Sequence, residues 1–226
     1  MKTFRKGLLP FLEKWKHLWL LLYFVFYLIW FAYLEATVTT QFHVIHLTID
    51  DYIPFCEYFV IPYFLWFAYV AWGVIHTALH NREDYYKLCV VLFTGMTVFL
   101  VVSTVYPNGH TLRPHYFTHH NFCTTLVNYL YSTDTPTNLF PSIHVYNSLA
   151  VHFMVMNSRD FKHKKTVRLT SLFLCVSIIM STVFLKQHSM FDVITALVLG
   201  SAMYEFVYVH NWAVGRNAVP RQIHGI

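Results

Sequence analysis

Six stretches of this chain are nearly free of charge, at roughly 17–34, 56–78, 88–105, 143–157, 167–185 and 190–210. A hydrocarbon core about 30 Å thick needs about 20 helical residues at 1.5 Å rise each, so all but 143–157 are close to the length of a membrane span. Pro62 predicts a kink in the second. Six spans return the chain to its starting side. The pattern predicts an all-α, polytopic membrane protein with six transmembrane helices in one domain over residues 1–226.

Between these runs the polar segments are unequal. Residues 1–16 alternate Lys2, Arg5, Lys6, Lys14 and Lys16 with Phe4, Leu8, Leu9, Phe11 and Leu12, which predicts an amphipathic helix on an anionic membrane surface. Residues 36–55 form a modest loop containing Asp50 and Asp51. Residues 106–142 are too long for a simple connector. Inside that loop Phe122, Leu126, Tyr129 and Leu130 recur at helical spacing, so a short interfacial helix is expected there.

Loop charge sets the orientation. With the N-terminus inside, the inner segments hold 14 of the 16 Lys and Arg, leaving only Arg113 and Lys186 outside. Both termini are therefore expected in the cytoplasm. Charged residues make up only 12% of the chain, about half the share of a soluble domain. The basic residues cluster between apolar runs, as loop charges do, so nucleic acid is excluded as a partner. Cys56, Cys89, Cys123 and Cys175 have neither CxxC nor metal spacing. Free thiols are expected, a Cys56–Cys123 disulfide being the one outer-face alternative.

Two polar islands interrupt the oily pattern. One is Phe140-Pro141-Ser142-Ile143-His144, opening an apolar run; the other is Lys186 to Asp192, joining two more. His188 and Asp192 are four residues apart and share a helix face, so the carboxylate can orient the ring. Ionisable groups at a span are costly to keep, which marks the islands as functional. On the charge-derived topology Arg113, His144, Lys186 and His188 all lie on the outer face. Two histidines, a carboxylate and two cations at a lipid–water boundary suit a phosphate group.

Each side chain has a reason to be there. His188 can attack phosphorus if Asp192 keeps its other nitrogen protonated. His144 can protonate the leaving oxygen, a role worth about 10²–10⁴-fold. Arg113 offers a planar fork for phosphate oxygens, or an interfacial anchor. Lys186 adds a point charge, or snorkels to the surface. Ser142 precedes a helix whose N–H groups attract anions, or simply caps it. Asn108, His110, Tyr106 and Asp134 lie where a head group would sit.

These motifs resemble the type 2 phosphatidic acid phosphatase (PAP2) superfamily of six-span lipid phosphatases and phosphotransferases, whose signatures are KxxxxxxRP, PSGH and SRxxxxxHxxxD. Leu112-Arg113-Pro114 is similar to the end of the first, Pro141 to His144 to the second, and Ser181 through His188 to Asp192 to the third. The resemblance implies a phosphohistidine on His188, Asp192 as its partner, His144 as acid, and no metal or other cofactor. Tyr106, Ile143 and Thr182 stand where the family has lysine, glycine and arginine. That weak cation set is similar to the branch of inositol phosphorylceramide and sphingomyelin synthases, since a phosphodiester carries less charge than a monoester. The expected function is lipid phosphatase, with phosphotransferase as the alternative, in a bacterial plasma membrane with the site facing outward.

Two rival readings come from the fifteen histidines and the polar mouth. His76–His80 (HxxxH) and His115–His120 (HxxxHH) resemble di-iron boxes, but the topology puts them on opposite faces; a zinc site at 110–120 lacks cysteine or acidic partners. A non-enzymatic binder or channel would use the same mouth without chemistry.

Overall fold

The computed structural model describes residues 15–210. The amphipathic segment expected at 1–16 falls almost entirely outside them, as do Arg216 and Arg221. Among the described residues five helices are long and apolar enough to cross a membrane: Lys16–Thr37, Glu57–His80, Arg82–Val105, Lys165–Phe184 and Met190–Val209. We number the regular helices α1 (Leu22–Thr37), α2 (Thr48–Tyr52), α3 (Val60–His80), α4 (Arg82–Val105), α5 (Phe122–Thr133), α6 (Ile143–Asn157), α7 (Lys165–Phe184) and α8 (Met190–Tyr204).

The stretch expected as a short fourth span is α6, a 15-residue helix about 22 Å long. It sits at the centre of the bundle, packed by α3, α4, α7 and α8. Its neighbours rather than lipid surround it: Val145, Tyr146, Ala150, Val151, Met154 and Val155 are all buried. Close approach is secured by small residues opposite. A Cβ on Gly95 of α4 would collide with the Tyr146 ring, and one on Gly73 of α3 would lie 2.9 Å from Val151. The Tyr146 hydroxyl then donates to the Val91 carbonyl at 2.7 Å.

Helix boundaries follow their caps. The loop between α3 and α4 shrinks to Asn81, whose side chain accepts from the Glu83 and Asp84 N–H groups, so α4 begins earlier than its apolar run. At the other end of the bundle the two long loops are knitted together. Strand β1 (His43–Val44) pairs in parallel with β2 (Asn108–Gly109), and Gly109 bridges to Thr137. Asn108 is fully buried; its Oδ1 accepts from Leu139 N and Phe140 N at 2.9 and 3.0 Å, shaping the approach to α6.

The short helix expected in the long loop is α5. Cys123, Val127 and Leu130 face inward against Val60, Tyr63 and Leu185, whereas Phe122 and Tyr129 are exposed. Apolar residues therefore occupy both faces of α5, one toward protein and one available to a membrane interface. The four cysteines are free thiols. Helix α1 is peripheral: Tyr23 and Trp30 hydrogen-bond Thr97 and Thr104 of α4 at 2.7 and 3.1 Å. A slot remains between α1 and α3.

Candidate active site

The turn from α7 to α8 carries the histidine. Lys186 adopts φ +52°, and the Thr182 carbonyl accepts from both Gln187 N and His188 N at 2.9 and 3.0 Å. A non-glycine residue held at positive φ is uncommon, and here it reverses the chain within a few residues. Ser189 caps α8, and Asp192 returns its carboxylate to the Ser189 N–H at 3.0 Å, a reciprocal capping box. The same Asp192 Oδ2 lies 3.3 Å from His188 Nδ1. Asp192 is wholly buried and His188 nearly so. Nδ1 faces the carboxylate, the ring also reaches the cavity described below, and Nε2 is the nitrogen not engaged by Asp192.

The second island is brought alongside. Ser142 N donates to the Asp192 backbone carbonyl at 3.3 Å, joining the start of α6 to α8. The His144 ring packs against Tyr63 and Trp66 of α3, each 4.4 Å away, with the His188 ring centroid at 5.8 Å. The two histidines line one cavity of about 430 Å³, together with Tyr63, Trp66, Tyr129 and Asp134. A second cavity of about 370 Å³ shares Tyr27, Leu28, Trp66, Phe67 and Ile143 with it and extends to Ile75 and Met96. Together they make an apolar slot between α1 and α3 that begins at the histidines.

The remaining expected residues are placed less directly. Arg113 stacks over Tyr131 at 4.5 Å, and its two terminal nitrogens donate to Tyr131 O at 3.3 Å and Gln187 Oε1 at 2.5 Å. Gln187 precedes His188, so the guanidinium is tied to the His188 turn; burial pulls its pKa down. Ser142 is buried and caps α6, accepting from Val145 N at 3.5 Å. The Lys186 ammonium donates to the Asp50 carbonyl at 2.7 Å, and burial lowers its pKa too. Of the outer-loop candidates, Asp134 lines the cavity; Asn108 and His110 are buried as supports, burial pushing the His110 imidazole down to about 4. Tyr106 stacks on His43 at 4.2 Å.

Asp50 is the residue that sequence reasoning left unused. Its carboxylate is buried and accepts from Leu47 N at 2.8 Å, Ser189 Oγ at 2.6 Å and Met190 N at 2.8 Å. It thus takes the first free donors of α8, leaving Asp192 to serve Ser189 N and His188. The only hint in the sequence was a carboxylate pair in an otherwise uncharged loop. Asp50→Ala is expected to cost about 2–4 kcal/mol of stability, because buried donors lose their acceptor. Asp50→Asn should keep only part of it, since one amide oxygen cannot accept from both Leu47 N and Met190 N; chemical denaturation of the two variants in detergent compares them.

The HxxxH pair is remote. His76 and His80 stack at 4.5 Å near Asp160, at the opposite end of α3 from Tyr63, while His115, His119 and His120 are exposed. Among the described residues no group of three His, Cys, Asp or Glu is arranged to hold a metal.

Residues 109–216, just under half of the chain, match the family model described as PAP2 superfamily. The matched segment includes Arg113, His144, His188 and Asp192. It supports a phosphatase- or phosphotransferase-type enzyme on a membrane-embedded helical scaffold. Comparison with curated proteins and with solved structures finds no match.

Proposed function

We propose that this chain is a six-helix lipid phosphatase of the PAP2 superfamily acting through a phosphohistidine. The observation that carries the reading is the juxtaposition of His144 and His188 on one cavity, with Asp192 on the far nitrogen of His188 and an apolar slot leading away. His188 Nε2 attacks phosphorus, the P–O bond to the leaving group breaks, and His144 gives that oxygen its proton. Asp192 stabilises the imidazolium that develops. Water then attacks the phosphohistidine and returns a proton to His144, releasing phosphate and restoring the enzyme. The slot gives the lipid tail an apolar path, so the phosphate reaches the histidines without leaving the bilayer boundary.

Arg113 and the N-terminal N–H groups of α6, with Ser142, are the proposed phosphate contacts. Lys186, committed to Asp50, would contribute through its charge. The charge asymmetry of the loops supports cytoplasmic termini and a site facing outward; a bacterial plasma membrane is the proposed location. No step needs a metal.

The second reading, transfer to an alcohol instead of water, has its own support: Tyr106 and Thr182 occupy the places of two phosphate cations, and the cavity wall holds the carboxylate of Asp134. One experiment separates the two. The purified protein is incubated with a lipid panel spanning monoesters and diesters, and both free phosphate and new lipid species are scored. Vanadate-sensitive, EDTA-insensitive phosphate release is expected. Turnover of no lipid would overturn both readings, whereas new lipid without phosphate release would establish the transferase.

A further inference from the structure

The cavity at the histidines has a wall unsuited to phosphate. Among its described lining residues Asp134 is the only carboxylate that faces it, and Tyr27, Phe31, Tyr63, Trp66, Phe67 and Tyr129 present rings. The Asp134 carboxylate accepts one hydrogen bond, from the Tyr63 hydroxyl at 3.3 Å. Within the described residues it has no ion pair at contact distance. Arg113 is close enough to favour its charged form, but the guanidinium hydrogens that hydrogen-bond are directed to Tyr131 and Gln187. Burial pushes the Asp134 carboxyl up, the sign of a charge held without enough compensation.

A substrate phosphate on His188 would add further negative charge to the same small cavity, where repulsion is poorly screened. A cation supplied by the substrate resolves the conflict. Ring faces beside a carboxylate are suitable surroundings for an organic ammonium, which is attracted to the aromatic quadrupoles as well as to the carboxylate. We propose that Asp134, with the rings of Tyr63, Trp66 and Tyr129, forms an ammonium subsite, so that the enzyme selects phosphoesters that also carry a primary or quaternary ammonium near phosphorus. The ammonium belongs either to an amino-alcohol head group on a diester or to a long-chain amino-alcohol phosphate. This inference rests on the phosphoryl-transfer reading above and narrows its substrate class.

The test uses two matched pairs in mixed micelles: phosphatidylethanolamine against phosphatidylglycerol, and a long-chain amino-alcohol phosphate against the same phosphate without its amine. In at least one pair kcat/KM should favour the amine about tenfold or more. Asp134→Asn should bring that ratio close to one, with Asp134→Glu retaining part of it. No amine preference in either pair, or a preference that survives Asp134→Asn, would overturn the subsite. A binding measurement removes dependence on turnover. An alkylphosphocholine should bind His188→Ala protein more tightly than the alkyl sulfate of equal chain length, and adding Asp134→Asn should abolish the difference. Equal binding of the two would again overturn it. The two readings fail separately: a fully active His188→Ala variant removes the phosphohistidine mechanism whatever the amine ratio, whereas an inactive His188→Ala variant beside an unsubstituted enzyme without amine preference removes only the subsite.

Discussion

Alanine at position 188 should lower lipid turnover by about 10⁴-fold or more, the scale seen when a covalent nucleophile is removed. Among the described residues His188 is the one imidazole that both lines the cavity and has its Nδ1 on a buried carboxylate, 3.3 Å from Asp192. Without that ring no other described residue along the cavity offers a nitrogen nucleophile with an orienting partner. The turn itself is held by other groups: the Thr182 carbonyl, the Ser189 cap and Asp50 do not involve the imidazole. Folding should therefore survive, and an unchanged detergent melting curve beside lost activity identifies a chemical defect. Asparagine at 188 should be equally inactive, since an amide cannot form the phosphorylated intermediate.

Removing His144, the proposed acid, gives the second large effect, with a signature that a structural role would not produce. His144→Ala should slow release of an alkyl leaving group by about 10²–10⁴-fold. A nitrophenyl phosphoester, whose leaving oxygen needs no proton, should lose much less in the first step. Water attack on the phosphohistidine still lacks its base, so the intermediate should accumulate and appear as a burst of nitrophenol. The ring packs on Tyr63 and Trp66, each with its centroid 4.4 Å away, so alanine also opens a cavity beside aromatic neighbours. His144→Gln fills part of that space and should show the same leaving-group dependence; a first-step (burst-phase) defect equal for both leaving groups, with no accumulation of the intermediate, would mean that His144 only packs.

Much of the architecture could be read from the chain because a bilayer allows few solutions. Spans must be long, apolar and helical, and the five long helices fall close to the apolar runs. The short run at 143–157 was legible as a helix, but its central position was not. Only packing against four neighbours explains why α6 need not reach across on its own. The His188–Asp192 pair was readable because helical spacing is local, and so was the His144 island at a helix start.

What escaped were contacts between residues far apart in sequence. Asp50 reaches Ser189 and Met190 across some 140 positions, and Gln187 reaches Arg113 across 74. No periodicity records such pairings. A lysine at the rim reads the same whether it meets phosphate or a carbonyl, so Lys186 could not be assigned from its charge alone. Helix α5 shows a similar ambiguity: apolar residues on both faces gave its position but not which face turns inward.

The covalent intermediate is the most direct point of attack. His144→Ala protein mixed with a nitrophenyl phosphoester, quenched in alkali during the burst and digested, should yield by mass spectrometry a phosphorylated peptide with the modification on His188. Asp192→Asn protein, whose ring is no longer oriented by a carboxylate, should label far more slowly. A burst with the phosphate on any other residue, or turnover with no labelled peptide, would contradict the assignment of His188 as nucleophile.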